Sequence, residues 1–245
     1  MAEKSPAIKE RLVKPVKTKV QTKGATSTAV APAPVEPAVR IPVVLNITIT
    51  DWKKETPIHR VHSSAYNANQ FNLGVKGNAR FSPIKDAKGN PIPTLYGGDS
   101  FNCAAMETVF HDVPFVSGFK TYDKRKLDGQ VYSLISSNVD LKVVDLSAIA
   151  LRKLGIERKD LIDTEKDRYP DTRLWAQAIH QQYPGVQGLC WVSRQDDKSR
   201  ALVLFGDRID STSLLHDGDS FSLLDGELLY GVVLKLAEQI GVDIV

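Results

Sequence analysis

Two cysteines in 245 residues exclude a disulfide-stapled secreted fold. They offer no metal-ligand spacing such as C-x-x-C either. Cys103 and Cys190 have no C-x-x-C partner and sit in apolar stretches, where a free thiol packs as a small hydrophobe. A reduced, cytoplasmic setting is therefore expected. No apolar run approaches the roughly 18 residues of a membrane span. The N-terminal lysines are followed by no apolar segment of the kind a secretory signal needs. There is no P-loop, no G-x-G-x-x-G and no G-x-S-x-G elbow. Of the five histidines, His59 and His62 lack the i, i+4 spacing of a helical zinc motif. No His/Asp/Glu cluster in the sequence predicts a metal site. No internal repeat is present.

Charge of one sign is also scarce, except at one end. The net charge is +3, but residues 1–40 carry eight Lys/Arg against three Asp/Glu. The remainder is slightly acidic, which argues against a folded domain built around a nucleic-acid backbone. Residues 1–40 are poor in large apolar side chains, and the run from Ala31 to Ala38 favours extended chain. We read 1–40 as a disordered arm. Its lysines suit nucleic acid, anionic lipid or an acidic partner, although a solvated tail with no dedicated ligand is the simpler reading. Residues 41–245 then form one folded domain.

The pattern over 41–245 mixes strands and helices irregularly, which predicts an α+β fold with mostly antiparallel pairing. Strands are expected within Ile41–Thr50 (or a connector there), and at Ile58–His62, Ile92–Tyr96, Gln130–Ile135, Asn138–Leu146, Val186–Val192 and Arg200–Phe205. Lys85 to Pro91 has the turn chemistry of an exposed hairpin excursion. Asp99 or Ser100 caps a helix that carries Phe101, Ala104, Ala105 and Val109. Ser147 opens a short helix that stops at Gly155. Further helices are expected over Thr172–Tyr183 and Glu227–Ile240. His111–Lys126 reads as loop, and Asp160–Pro170 as charged and exposed. Two short apolar pieces, Leu214–Leu215 and Phe221–Leu224, are left without a firm assignment.

Several polar residues sit where packing alone explains them poorly. Arg60 lies inside an apolar strand and Glu107 inside an apolar helix turn; charged side chains are rarely buried unless paired. Arg80 lies in a Gly/Asn/Pro-rich turn, Tyr96 at a strand end, and Ser193 just past another strand. One by one, each is explained by pairing or exposure. Together they point to a shared cleft. An arginine suits a phosphate, a tyrosine ring a flat heterocycle, and a glutamate a sugar hydroxyl or a developing positive charge.

These residues fall in a recognisable order. His59-Arg60-Val61, Gly77-Asn-Ala-Arg80-Phe-Ser-Pro83, Pro93-Thr-Leu-Tyr96, Ala104-Ala-Met-Glu107-Thr-Val and Gly188-Leu-Cys-Trp-Val-Ser193-Arg-Gln195 resemble the RES domain family, named for an arginine, a glutamate and a serine. The strand Ala201–Phe205 fits too, so the resemblance spans roughly residues 55 to 210. Each motif is short; their order and spacing carry the likeness.

The resemblance implies an ADP-ribosyltransferase-like fold of mostly antiparallel sheets with flanking helices. It implies a toxin of a bacterial toxin–antitoxin pair that cleaves NAD with water or phosphate, or transfers ADP-ribose to a protein. It maps the catalytic letters to Arg80, Glu107 and Ser193 and further NAD contacts to Arg60 and Tyr96. NAD is the substrate, and neither a metal nor a resident cofactor is expected. The implied partner is a helix-turn-helix antitoxin that blocks the site and supplies the only link to DNA; a homodimer is allowed. A non-catalytic nucleotide-binding module stays open as an alternative. The sequence departs from compact members in a longer Arg80-to-Tyr96 segment and in the basic arm. Both leave room for a different acceptor or partner.

Overall fold

The computed structural model describes residues 40–245, so the arm expected over 1–40 lies outside the described residues apart from Arg40. Twelve strands and five α-helices are found among the described residues. The fold is α+β, built on an eight-stranded, mostly antiparallel sheet with helices against it.

The sheet contains β1 (Thr48–Trp52), β2 (Ile58–Ser63), β5 (Thr94–Gly98), β7 (Gln130–Ser137), β8 (Leu141–Asp145), β9 (Gly188–Val192), β10 (Arg200–Phe205) and β11 (Leu214–Ser222). Their order is β1-β8-β9-β10-β5-β2-β7-β11. Only β8 and β9 run parallel within it. β3 (Ile84–Lys85) and β4 (Pro91–Ile92) form the expected hairpin excursion. The Asp86 carboxylate fixes that turn by accepting the Lys88 and Asn90 N–H groups at 2.8 Å, and Gly89 supplies the positive φ of 86°.

The helices are α1 (Phe101–Thr108), α2 (Ala148–Leu154), α3 (Arg158–Leu161), α4 (Tyr169–Gln182) and α5 (Gly226–Gln239). Ser100 caps α1, its Oγ accepting the Cys103 N–H at 3.0 Å. Ser147 opens α2 but makes no side-chain cap; its own N–H and hydroxyl donate to Asp145 instead.

Alternation along the strands sends residues to two cores. Val144, Leu189, Trp191, Val203 and Phe205 pack under α2 and α4 on one face. Ile58, Leu95, Ile135, Val143, Leu202 and Leu204 form the other face with Trp52. A third cluster joins α1 and α5 through Ala105, Phe110, Val233 and Leu236.

The structure resolves two open assignments and corrects two expectations. The first strand begins at Thr48, because Ile41–Val44 leads in as connector with Val43 and Val44 exposed. Leu214–Leu215 and Phe221–Ser222 belong to one nine-residue strand, β11, with Leu223 and Leu224 in the turn that follows it; a register shift between Asp217 and Phe221 inserts a polar, exposed stretch that hides its continuity. The stretch expected as loop before Lys126 holds β6 (Lys120–Tyr122), which pairs in parallel with the C-terminal β12 (Val242–Ile244). The charged segment 160–170 is not simply exposed: Leu161, Ile162 and Thr164 are buried, and Tyr169-Pro170 already starts α4, where proline's missing N–H does no harm.

Candidate active site

β2 and β5 are neighbours in the sheet but share one register pair, His59 with Gly98. A close approach is needed even there: a Cβ on Gly97 would lie 2.4 Å from Ile58 Cγ2, and one on Gly98 would lie 2.7 Å from Cys103 Sγ. The two glycines therefore answer to close packing by neighbouring residues, with no room for a side chain. Beyond that pair a cleft of about 360 Å³ opens, within the size range of small-molecule sites. Arg60, Val61 and His62 line it from β2, Tyr96 and Gly97 from β5, Glu107 from α1, and Lys166 and Tyr169 from the segment entering α4.

Glu107 is half-buried on the last turn of α1. Ser193, the residue after β9, is wholly buried and donates its hydroxyl proton to Glu107 Oε1 at 2.6 Å. The same Ser193 oxygen accepts the N–H groups of Gln195 and Asp196, at 3.0 and 3.1 Å. Such a hydroxyl has one direction left for its proton, so the carboxylate is held by a short charge-assisted bond. Ser193 stands behind Glu107 and is not among the residues that line the cleft.

Arg80 is buried in the turn before β3. Its Nη1 donates to Thr164 Oγ1 at 2.6 Å and to the Thr164 carbonyl at 3.3 Å, and the guanidinium lies 5.0 Å from the Tyr169 ring centre. Burial lowers its pKa, opposed by Tyr169 and by the Glu107 charge. Arg80 thus clamps the 161–165 loop while facing the cleft. Tyr96 is fixed through its oxygen, which accepts the Phe81 N–H at 3.0 Å; burial pushes the phenol up to about 12, so it stays neutral.

Arg60 is buried, and its guanidinium donates to the backbone carbonyls of Asn67 and Ala68. Burial pulls it down to about 10, which still leaves it cationic at neutral pH. No carboxylate pairs with it among the described residues. A buried charge without a counter-charge is costly, and Arg60 carries one on the cleft wall with backbone carbonyls as its partners. His62, two residues on and on the same strand face, donates its Nδ1–H to the Ser63 carbonyl at 3.0 Å and shares a hydrogen bond between Nε2 and Ser133 Oγ at 2.8 Å. Burial, then the Arg60 charge, take it down to about 4.

The cleft mouth is bridged by charge. Lys166 Nζ meets the Asp112 carboxylate at 2.6 Å, and Arg194 meets Glu165 at 2.9 Å. The Trp191 indole lines the interior, its N–H buried with no acceptor among the described residues.

The five residues singled out from the sequence are therefore gathered at one site: Arg60, Arg80, Tyr96 and Glu107 on its walls and Ser193 bonded to Glu107. Sequence reasoning did not pick out His62, Thr164, Lys166, Tyr169 or Trp191. For His62 a signal was present, because residues i and i+2 on a strand share a face and Arg60 was already a candidate. For Thr164 and Lys166 none was. No group of three or more His, Cys, Asp or Glu side chains suited to a metal occurs among the described residues. No helix among them is long and apolar enough to cross a membrane.

The model of one protein family, described as the RES domain, matches residues 57–223. No curated protein matches the chain.

Proposed function

Because the chain belongs to the RES domain family, we propose that it breaks the nicotinamide–ribose bond of NAD, depleting the dinucleotide as the toxin of a toxin–antitoxin pair. The observation that carries this reading is the pairing of opposite needs in one cleft. Arg60 lacks a counter-anion, and Glu107 is a carboxylate held at fixed orientation. NAD supplies both complements, a diphosphate and a ribose that turns cationic.

In the reaction, the bond from ribose C1″ to the nicotinamide nitrogen breaks and its electron pair leaves with the nicotinamide. The ribose passes through an oxocarbenium-like transition state. Glu107 holds the ribose hydroxyls and stabilises the developing cation. Arg60 binds diphosphate oxygens, and a guanidinium does so bidentately. Arg80 holds the loop that closes that wall and adds positive potential beside the diphosphate. Tyr96 packs on a ring of the substrate. Ser193 keeps Glu107 in place. An oxygen of water or of inorganic phosphate then bonds to C1″; with water, one proton passes to solvent. NAD is substrate here, and no resident cofactor or metal is part of the proposal. A helix-turn-helix antitoxin in the cytoplasm completes the pair and provides the only connection to DNA.

Incubation with labelled NAD, with and without phosphate and cell lysate, tests this. Free ADP-ribose identifies hydrolysis and ADP-ribose 1″-phosphate identifies phosphorolysis. A labelled protein band identifies ADP-ribosyl transfer from the same site. Glu107→Ala is expected to lower NAD loss by about 10²-fold or more in a protein that stays folded. Binding of NAD without any of these products identifies a non-catalytic module and overturns the proposal.

A further inference from the structure

Four cations line the cleft: Arg60, Arg80, Lys166 and Arg194. Three are fixed by backbone. Arg60 donates to Asn67 and Ala68 carbonyls, Arg80 to Leu161 and Thr164 carbonyls, and Arg194 to Asp163 and Thr164 carbonyls. Lys166 differs. Among the described residues its ammonium meets one group, the Asp112 carboxylate, with 2.6 Å to either oxygen. That carboxylate comes from the other side of the mouth, on the loop that leaves α1, four residues past Thr108.

Both side chains stay open to water, at 45% and 63%. An exposed pair of this kind holds weakly, so an arriving anion competes with Asp112 on nearly equal terms. A lysine carries a compact charge on a flexible stem and can change partners without disturbing the backbone. Asp112 has further partners, with His111 Nε2 at 3.3 Å and Lys126 acting on it through its charge. It is not left bare when Lys166 moves.

We propose that Asp112 is a placeholder. It holds the Lys166 ammonium over the cleft of the free protein and yields it to the diphosphate of a bound dinucleotide. This rests on the NAD reading above. Lys166 is then a substrate-binding residue, and Asp112 is its competitor for the substrate. The alternative device, a latch in which the pair simply shuts the cleft, needs both partners and makes them act in the same direction. A placeholder makes them act in opposite directions.

The test is calorimetric binding of ADP-ribose, which keeps the diphosphate and cannot react, to wild type, Lys166→Ala, Asp112→Asn and the double variant. Asp112→Asn is expected to bind about 3–5-fold tighter, the worth of one exposed pair. Lys166→Ala is expected to bind about tenfold weaker, with a shallower salt dependence. The double variant is expected to match Lys166→Ala, since a competitor without its prize has no effect. Thermal melts of the free variants check that each is folded. Two weaker-binding single variants, or an Asp112→Asn that binds like wild type, overturn the placeholder while leaving the NAD reading standing. Wild type that binds no ADP-ribose overturns both.

Discussion

The bond between Ser193 and Glu107 can be measured without any substrate. Ser193 Oγ donates to Glu107 Oε1 at 2.6 Å and accepts two backbone N–H groups, from Gln195 and Asp196. Hydrogen bonds to charged groups contribute about 1.5–3 kcal/mol. Glu107 is half-buried, which places the coupling near the lower end, about 1–2 kcal/mol. Ser193→Ala also orphans the two N–H donors, so its total cost exceeds the coupling and reaches about 2–4 kcal/mol. A double-mutant cycle separates the two parts. Urea denaturation of wild type, Ser193→Ala, Glu107→Ala and the double variant should give a coupling of about 1–2 kcal/mol. Ser193→Thr keeps the hydroxyl and should retain most of it. Turnover should follow the same logic: Ser193→Ala lowers kcat and leaves KM near wild type, because Ser193 acts on Glu107 and not on the dinucleotide. Additivity within about 0.5 kcal/mol, or a KM that rises while kcat holds, would refute the positioning role.

Two further outcomes are expected. His62 sits at about 4 in the fold against an ordinary 6.5, and His59 and His180 are displaced the same way by burial. Below pH 6.5 the unfolded chain takes up protons that these rings refuse, so stability is full above that pH and falls as the pH drops towards 4. Melting temperature followed between about pH 7.5 and 4.5 should show this fall, and it should be shallower in His62→Gln; an unchanged slope would remove His62 from the account. Gly97→Ala places a methyl group 2.4 Å from Ile58 Cγ2 and 3.1 Å from the His59 carbonyl, and overpacking of this kind costs about 1–3 kcal/mol. Because the clash lies where β2 and β5 meet beside the cleft, chemical denaturation should show the loss together with weakened ligand binding; a variant as stable as wild type would mean the strands already have room.

What the sequence could show depended on how far apart the interacting parts lie. Arg60 and Glu107 stood out because each breaks a local apolar pattern, and a break in a pattern is visible within a few residues. Ser193 stood out through its place just past a strand and within a motif. Nothing local identified Glu107, 86 residues away, as the group it serves. The 161–168 segment was hidden for a related reason. Its charged residues dominate its composition, yet Leu161 and Ile162 are wholly buried and Thr164 receives Arg80 from 84 residues upstream. Composition reports the side of a loop that faces water, whereas this loop works through the side that does not. The same limit applies at the cleft mouth. Asp112 and Lys166 read separately as ordinary surface charges, and their meaning arises only when α1 and the start of α4 bring them to 2.6 Å. Strand alternation reaches only two residues; it sets His62 on the face of Arg60, a signal that was present but was not drawn on. It could not find the cleft itself, because that depends on β2 and β5 pairing at a single point and then separating.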